Sequence, residues 1–416
     1  MRNSPFWWVL IVVMVAIDIY VFQALKVIAP APGSRFRPFV LYGYWILSIG
    51  ALLTLLLLPY LHLEHQAKLI RSTIFALIAG VFFAKLVAAL FFLVDDLRRL
   101  FQWGAGKIFF SNTEVADLPK GDGISRSAFL TWTGMLFGGG MFATLVYGFG
   151  NKYKYQVKRV PLTYPNLPAS FRGLKIIQLS DIHSGSFTNK EAVLKGVQTV
   201  LGLKPDLILF TGDLVNDSAD EMVEYMDVFS QLKAPMGVYS SLGNHDYGDY
   251  KQWDSPEEKI ANLARLKEVH KELGWRLLVN EHVALEKGGE KIALIGIENW
   301  SAKSNFPKYG DMAKAYAGSE SYPFKILMSH DPSHWDAQVL TSYKDVDLML
   351  AGHTHGMQFG IEVPGFKWSP VQYMYKQWAG LYEQANQKLY VNRGYGFIGY
   401  PGRVGILPEI TLIELT

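Results

Sequence analysis

Five short strings fall in one order along the second half of the 416-residue chain: Asp181-Ile-His183, Gly212-Asp213, Gly243-Asn244-His245-Asp246, Ser329-His330 and Gly352-His353-Thr354-His355. Between them they offer carboxylate, imidazole and amide side chains and no thiolate, since the chain has 0 Cys. Hard oxygen donors and imidazoles suit a pair of divalent cations, and two such ions can clamp a phosphoryl group from both sides. The candidate metal ligands are Asp181, His183, Asp213, Asn244, His330, His353 and His355. Zero Cys excludes disulfides, zinc-finger sites and Cys nucleophiles, and a formal net charge of +3 is too small to argue for nucleic-acid binding.

Ligands this far apart in sequence need a scaffold that gathers them. From about Lys158 onward the chain alternates short apolar runs with Gly/Pro-rich and charged stretches. The runs at 174–180, 206–211, 237–242, 325–329 and 346–351 read as buried strands, with amphipathic helices near 190–201 and 256–273. Each metal string begins where one of those strands ends. In open α/β sheets ligands collect at the carboxyl ends of strands, where several loops point into one crevice.

The first 150 residues are different in kind. Stretches near 6–28, 39–58, 73–94 and 128–149 are each long enough to cross a hydrocarbon core, which takes roughly 20 helical residues. The expected domains are therefore 1–150, a four-helix transmembrane bundle, and 151–416, a catalytic α/β domain. The first span begins too close to the start, and its apolar run is too long, for a cleaved signal peptide. Trp7, Trp8, Tyr42, Tyr44, Trp45 and Tyr60 mark the ends of the first two spans, where amphipathic rings favour the headgroup level. Asp18 and Lys85 lie inside spans, where each alone is costly; an ion pair between them is favoured over a proton relay. Gly134, Gly138, Gly139 and Gly140 in the fourth span allow close helix packing. Basic residues flank the spans almost evenly, seven on one side against eight on the other, so charge does not set the orientation. Ser125-Arg126-Ser127 before the fourth span looks like a twin-arginine export signal with one Arg replaced, which favours a catalytic domain outside the cytoplasm.

The order of the five strings resembles the calcineurin-like metallophosphoesterase superfamily, with its pattern DxH, GDxx(D/E), GNH(D/E), H and GHxH. Within it the chain is similar to the membrane-associated YkuE-type group, through Ser180-Asp-Ile-His183, Thr211-Gly-Asp-Leu-Val-Asn216, Gly352-His-Thr-His-Gly356 and the stretch from Arg393-Gly394 to Pro408-Glu-Ile-Thr-Leu412. The resemblance runs from about Gly173 to the end of the sequence. It implies a layered αββα sandwich with the metal site at strand C-terminal ends. It also implies one ion held by Asp181, His183, Asp213 and His355 and a second by Asp213, Asn244, His330 and His353, with Asp213 bridging. Hydroxide activated by the two ions is then the nucleophile, and His245 donates a proton to the leaving oxygen or stabilises the phosphoryl charge. Mn is the favoured metal, with Zn, Fe, Co and Ni also suited to mixed O/N ligation. Two departures stand out. Position 216 is Asn where the superfamily places an acid that orients the His, with the acid next door at Asp217, and position 357 is Met where the nearest group has Gly.

Other residues carry blander readings. His270, His282 and His334 are expected to be surface or hydrogen-bonded histidines, and His62-Leu-Glu64-His65 a solvated loop between spans. Asp246 and Asp331 fit support of the metal shell and simple turn roles equally well. The aromatic stretch 366–382 fits a cover over the cleft, a bilayer contact or ordinary core. The functional expectation is a multi-pass inner-membrane phosphohydrolase cleaving a phosphodiester or pyrophosphate, with a lipid-linked substrate favoured because anchoring confines the enzyme to the bilayer. The alternative is a membrane sensor or transporter whose second domain binds phosphate ligands without turnover.

Overall fold

The computed structural model describes residues 5–57, 68–109 and 126–416. Arg2, Tyr60, the tract at 62–65, Lys120 and Ser125 lie outside the described residues. The chain forms two compact units, Met1–Tyr147 and Gly148–Thr416.

The first unit contains helices α1 (Pro5–Ile28), α2 (Phe36–Leu57), α3 (Lys68–Phe109) and α4 (Arg126–Gly148). Each includes a stretch long and apolar enough to cross a membrane. The third helix corrects the sequence expectation, because it does not stop near Val94 but runs for 42 residues. At 1.5 Å per residue that exceeds the ~30 Å hydrocarbon core about twofold. The extension is sustained by local charge pairing: Arg98 and Arg99 reach back to Asp95 at 2.8 and 2.9 Å, the i,i+3 and i,i+4 spacings that support a helix in a polar medium. Asp18 of α1 and Lys85 of α3 meet at 2.5 Å. The same Lys85 Nζ donates to Ser48 Oγ of α2 at 2.6 Å, and the Tyr44 hydroxyl donates to the Asp18 main-chain oxygen at 2.8 Å. Three helices thus share one satisfied polar node. Of the four glycines expected to allow close packing in the fourth span, Gly134 and Gly138 face α3 so closely that a Cβ would collide with the carbonyls of Ala88 and Ala84. Gly139 and Gly140 face open space.

The second unit contains fourteen strands among the described residues: β1 (Gln156–Leu162), β2 (Lys175–Leu179), β3 (Leu207–Thr211), β4 (Val238–Ser241), β5 (Arg276–Leu277), β6 (Glu281–Lys287), β7 (Glu290–Gly296), β8 (Lys325–Met328), β9 (Leu348–Ala351), β10 (Ile361–Val363), β11 (Phe366–Trp368), β12 (Gly380–Gln384), β13 (Gln387–Val391) and β14 (Glu409–Leu415). Helices α5 (Lys190–Gly202), α6 (Met226–Phe229), α7 (Pro256–Glu272) and α8 (Met312–Tyr316) lie between them. Two six-stranded sheets form, ordered β1-β14-β2-β3-β4-β5 and β12-β13-β9-β8-β7-β6, with β10-β11 as a separate hairpin. Strands β2 to β5 run parallel in the first sheet, and β7, β8, β9 and β13 in the second.

Period-2 alternation sorts each central strand onto two buried faces. Ile176, Leu207 and Leu209 meet Ile292, Leu294, Ile326, Leu348 and Leu350 in the layer between the sheets. Their neighbours Ile177, Leu179, Ile208 and Phe210 pack outward on Val193, Val197 and Val200 of α5 and Leu266 and Val269 of α7. On the other side Ile295, Leu327 and Met349 pack on Met312 and Ala315 of α8 and on Trp335 and Val339 of a π-helical turn. The result is an αββα sandwich. Gln178 is a buried polar residue between the sheets: its amide donates to Ala351 O at 2.9 Å, stitching the two layers together beneath the ends of β2 and β9.

Candidate metal centre

The loops that leave β2, β3 and β4 in one sheet and β8 and β9 in the other deliver every sequence-expected ligand to one place. Asp181 and His183 follow β2, Asp213 follows β3, Asn244 and His245 follow β4, His330 follows β8, and His353 and His355 follow β9. The loops are bonded to one another: Asp181 N donates to Gly212 O at 2.9 Å, Gly352 N to His330 O at 2.9 Å, and His353 N to Asp181 Oδ1 at 2.9 Å. Such close approach explains two of the glycines. A Cβ on Gly243 would strike the Asp213 carboxylate, and one on Gly352 would strike Ser180 Oγ and Asp181 Oδ2.

The backbone here is strained. Asp181, His183, Asp213, His353 and His355 all have left-handed φ, at 53°, 49°, 60°, 72° and 49°. Each such non-glycine conformation costs on the order of 1–3 kcal/mol and persists where the surroundings over-determine it, a pattern that clusters at functional sites.

Two groups of side chains could each hold a cation: Asp181, His183 and His355, with ligand atoms within 4.8 Å of one another, and Asp213, His330 and His353, with the same limit. Asp213 Oδ2 lies between them, 3.5 Å from His183 Nε2 and 3.0 Å from His330 Nε2. His355 Nε2 is 3.3 Å from Asp181 Oδ1. Asn244 Oδ1 joins the second group, 2.8 Å from His353 Nδ1. The donor set tests well against a metal. His183 Nε2, His330 Nε2 and His355 Nε2 are buried with no hydrogen-bond partner, and the short approach of His330 to Asp213 lacks hydrogen-bond alignment. Buried polar atoms without partners are costly, and several imidazole lone pairs converging beside carboxylates fit ligation. His330 Nδ1 donates to Thr211 O at 2.7 Å, which leaves Nε2 as the atom that could take a cation.

Electrostatics follow from burial and crowding. Burial pushes the Asp181 carboxyl up, with the neighbouring Asp213 charge adding to the effect against His330. Burial opposes charge on Asp213 too, but His330 and His245 hold it well below the usual carboxylate range. Burial lowers His183 to about 3, and lowers His353 and His355 as well. His330 goes the other way, to about 10, because the Asp213 charge outweighs its burial. A divalent cation at these donors would compete with the His330 proton.

His245 is oriented through the main chain. Its Nδ1 donates to the backbone carbonyl of Asn216 at 2.8 Å, and its own N–H donates to Asp213 Oδ1 at 2.9 Å. The Asn at 216 therefore leaves the imidazole fixed, since the orienting acceptor is a carbonyl that every residue type supplies. The Asn216 amide donates to Ser186 Oγ at 3.1 Å, and Glu221 accepts from Asn216 N at 2.7 Å, which ties the loop to itself. Asp217 does not replace the missing acid; its carboxyl is raised to about 6 by burial and by Glu221. Asp246 has a scaffolding role: it accepts from the backbone N–H groups of Asp213, Leu214 and Gly243 at 2.8–2.9 Å, locking the β3 and β4 loops together.

Several residues at the site have no signature in the sequence. Tyr250 accepts from Asn244 Nδ2 at 2.9 Å, which turns the amide oxygen toward His353, and its ring lies 4.5 Å from that of His245. Tyr375 OH is 2.9 Å from His353 Nε2 and donates to Asp331 Oδ2 at 3.3 Å. Arg403 is fully buried behind His355 and donates to the carbonyls of Arg393 and Gly396. The aromatic-rich stretch 366–382 was a signal, but it does not say which side chain turns inward. The aromatic stretch divides: Tyr375 joins the site, Trp378 is buried, and Tyr373 is exposed. The remaining histidines among the described residues stand apart from the cluster. His270 bonds Ser240 Oγ, His282 faces Ala315 O, and His334 bonds Ser329 Oγ and Gln338.

Comparison with known proteins agrees with this geometry. Residues 1–151 match a family profile described as "Probable Calcineurin-like phosphoesterase, transmembrane domain", and residues 174–357 match "Calcineurin-like phosphoesterase". The chain is 31% identical over 280 residues to a Danio rerio "Transmembrane protein with metallophosphoesterase domain", covering 65% of this chain and 60% of that relative. It is 30% identical over 254 residues to the Bacillus subtilis "Uncharacterized metallophosphoesterase YkuE", covering 60% of this chain and 81% of the relative. It is 28% identical over 243 residues to the Escherichia coli "Phosphodiesterase YaeI", covering 58% of this chain and 82% of that relative. With its four apolar helices and these relatives, the chain is a membrane protein.

Proposed function

The chain belongs to the calcineurin-like metallophosphoesterase family, and on that premise we propose that it is a membrane-anchored two-metal phosphohydrolase of phosphodiesters or pyrophosphates. The single observation that carries the reading is the convergence of three partnerless buried imidazole nitrogens, His183 Nε2, His330 Nε2 and His355 Nε2, on the carboxylates of Asp181 and Asp213. Asp181, His183, Asp213 and His355 would hold one ion, and Asp213, Asn244, His330 and His353 the other. The ions would supply Lewis acidity and a water deprotonated near neutral pH. Mn is the favoured occupant on ligand chemistry, with Zn, Fe, Co and Ni also matched.

The protein's own groups do the rest. With Nδ1 committed to the Asn216 carbonyl, His245 gains and loses its second proton at Nε2, and from there it donates to the departing oxygen. Tyr250 holds the Asn244 amide in one orientation. The left-handed turns at Asp181, Asp213 and His353 pre-set the donors, so little reorganisation remains when substrate arrives. A lipid-linked substrate is favoured, because four spans confine the domain to a bilayer surface. We place the protein in the inner membrane with its catalytic domain outside the cytoplasm.

The test uses full-length protein purified in detergent, stripped by chelation, then given Mn, Zn or Mg beside an Asp213→Asn variant. Metal-restored cleavage of bis-p-nitrophenyl phosphate, lost in the variant, is expected. A folded wild-type protein that turns over neither this diester nor p-nitrophenyl phosphate with any of these metals would overturn the hydrolase reading in favour of phosphate binding alone. Orientation has its own test, since the chain has 0 Cys. Ile260→Cys on the exposed face of α7 should react with an impermeant maleimide in cells whose inner membrane is intact, and protection from it would place the domain in the cytoplasm.

A further inference from the structure

The β10–β11 hairpin is built inside out. Its register pairs Ile361 with Trp368, Glu362 with Lys367 and Val363 with Phe366, so Glu362 and Lys367 share one face and the four apolar residues share the other. The polar face is the one turned toward its own domain: Glu362 accepts from Arg393 at 2.8 Å and Lys158 at 3.2 Å, and Lys367 donates to Ala379 O. Three of the four apolar residues look away, and Trp368 is half-buried. Ile361, Val363 and Phe366 are each more than half exposed, and Tyr373 and Met374 in the next turn continue the surface at 78% and 53%. Met357, at the head of this segment, is half exposed and holds a left-handed φ of 55° that glycine would adopt without strain. A soluble domain sorts such a hairpin the opposite way, and a contiguous exposed apolar surface marks a contact.

The segment is tied to the metal centre at both ends. Ser369 Oγ donates to Gly356 O at 2.8 Å, one residue from His355, and Tyr375 reaches His353 Nε2 at 2.9 Å. Beside it opens a cavity of about 410 Å³ lined by Lys303, Tyr373, Met374, Tyr375 and Lys376 together with Asp336. Both lysines are exposed. We propose that the outward face of this hairpin and the Tyr373–Met374 turn dock on a lipid bilayer, with Lys303 and Lys376 meeting anionic headgroups at the rim of the cavity. Apolar side chains flanked by lysine are the composition that settles at a headgroup boundary. Docking there presents a bilayer-resident phosphoester to the side of the site bounded by Tyr375 and His353. That purpose rests on the lipid-substrate reading above, whereas the contact itself does not.

The absence of Cys makes a direct test simple. Phe366→Cys, Met374→Cys and, as a control on α7, Ile260→Cys are made in the full-length chain, labelled with a bimane fluorophore and reconstituted into vesicles of phosphatidylcholine with phosphatidylglycerol carrying brominated acyl chains. Quenching at 366 and 374 should exceed that at 260 by about threefold or more and rise with the phosphatidylglycerol fraction. Quenching at 366 and 374 no stronger than at 260 overturns the proposal. Shielding of those two labels in detergent micelles that grows with protein concentration assigns the face to a second copy of the chain, and overturns it also. Bis-p-nitrophenyl phosphate turnover, read on the same vesicles, reports the metal centre separately, so an inactive enzyme with quenched labels fails the function and keeps the contact.

Discussion

Two of the molecule's buried polar clusters are built on opposite rules. Between α1, α2 and α3, Lys85 Nζ has Asp18 at 2.5 Å and Ser48 at 2.6 Å, and its charge lies 4.8 Å from the Tyr44 ring centre. Donor meets acceptor, charge meets countercharge, and the node is complete without any further component. At the ends of β2, β3, β8 and β9 the arrangement is the reverse: carboxylates crowd one another, imidazole nitrogens point at each other's neighbours without hydrogen bonds, and five residues hold left-handed backbone. A closed node stabilises a fold, whereas an open one costs stability unless something else fills it. Buried charge alone thus does not mark a functional site; unfinished pairing does.

The largest effect that tests this contrast comes from the open cluster. Asp213→Asn removes the carboxylate shared by both ligand groups, and diester hydrolysis should fall by about 10³-fold or more, with metal content measured by plasma mass spectrometry falling alongside. Unchanged metal content with full activity would dissolve the contrast. The closed node predicts a different signature. Lys85→Met leaves Asp18 uncompensated and should destabilise the helical unit by about 3 kcal/mol, while Asp18→Asn with Lys85→Met should recover most of that loss in thermal unfolding followed in detergent. Additive losses in the double variant would show that the pair is not the unit.

His270 sharpens the contrast at an intermediate scale, because it is a buried imidazole with one nitrogen bonded to Ser240 and the other without a partner, far from any carboxylate cluster. Burial lowers it to about 3, while in the unfolded chain it titrates near 6.5. Between those values the unfolded state binds the extra proton, so stability is full above pH 6.5 and falls as pH drops toward 3. The loss is about 1.4 kcal/mol per pH unit, or about 2 kcal/mol by pH 5. A His270→Gln variant should show a shallower decline in chemical unfolding across that window, and an identical slope would mean the imidazole is not held neutral. A lone orphan nitrogen is a stability debt; several converging on carboxylates are a site.

Much of this was legible in the chain because the strongest signals were local. β2, β3, β8 and β9 are short apolar runs rich in Leu, Ile and Met that run into a Ser or Gly, β4 is Val-Tyr-Ser-Ser just before Leu242-Gly243, and the five strings start at those ends. What was not legible depends on distant pairing. β14 is the last element in sequence yet sits between β1 and β2, and no local pattern reports a partner about 240 residues away. The end of α3 was missed for another reason. Asp95, Asp96, Arg98 and Arg99 terminate the apolar run but not the helix, since opposite charges at i+3 and i+4 carry it on. At the site, the ligand types could be read, but not which nitrogen of each ring is left over, because that depends on carbonyls such as Thr211 O and Asn216 O.

Tyr375 gives the smallest effect and the finest discrimination. It comes from a loop with no periodicity, yet its hydroxyl bridges His353 Nε2 and Asp331 Oδ2, which lie 3.6 Å apart. Because His353 meets Asn244 through Nδ1, the Nε2 side is where the ring is aimed, and Tyr375 closes one edge of the otherwise open cluster. Burial and the Asp331 charge keep the hydroxyl protonated by raising it well above the ordinary tyrosine value. Tyr375→Phe keeps the ring and the packing but frees His353 to rotate, which should weaken metal binding by about tenfold, the low end for loss of a group that orients a ligand. Unfolding temperature of the metal-stripped protein should stay within a degree or two, and kcat at saturating metal should recover most of its value. If added metal does not restore kcat, the hydroxyl acts on substrate rather than on the imidazole.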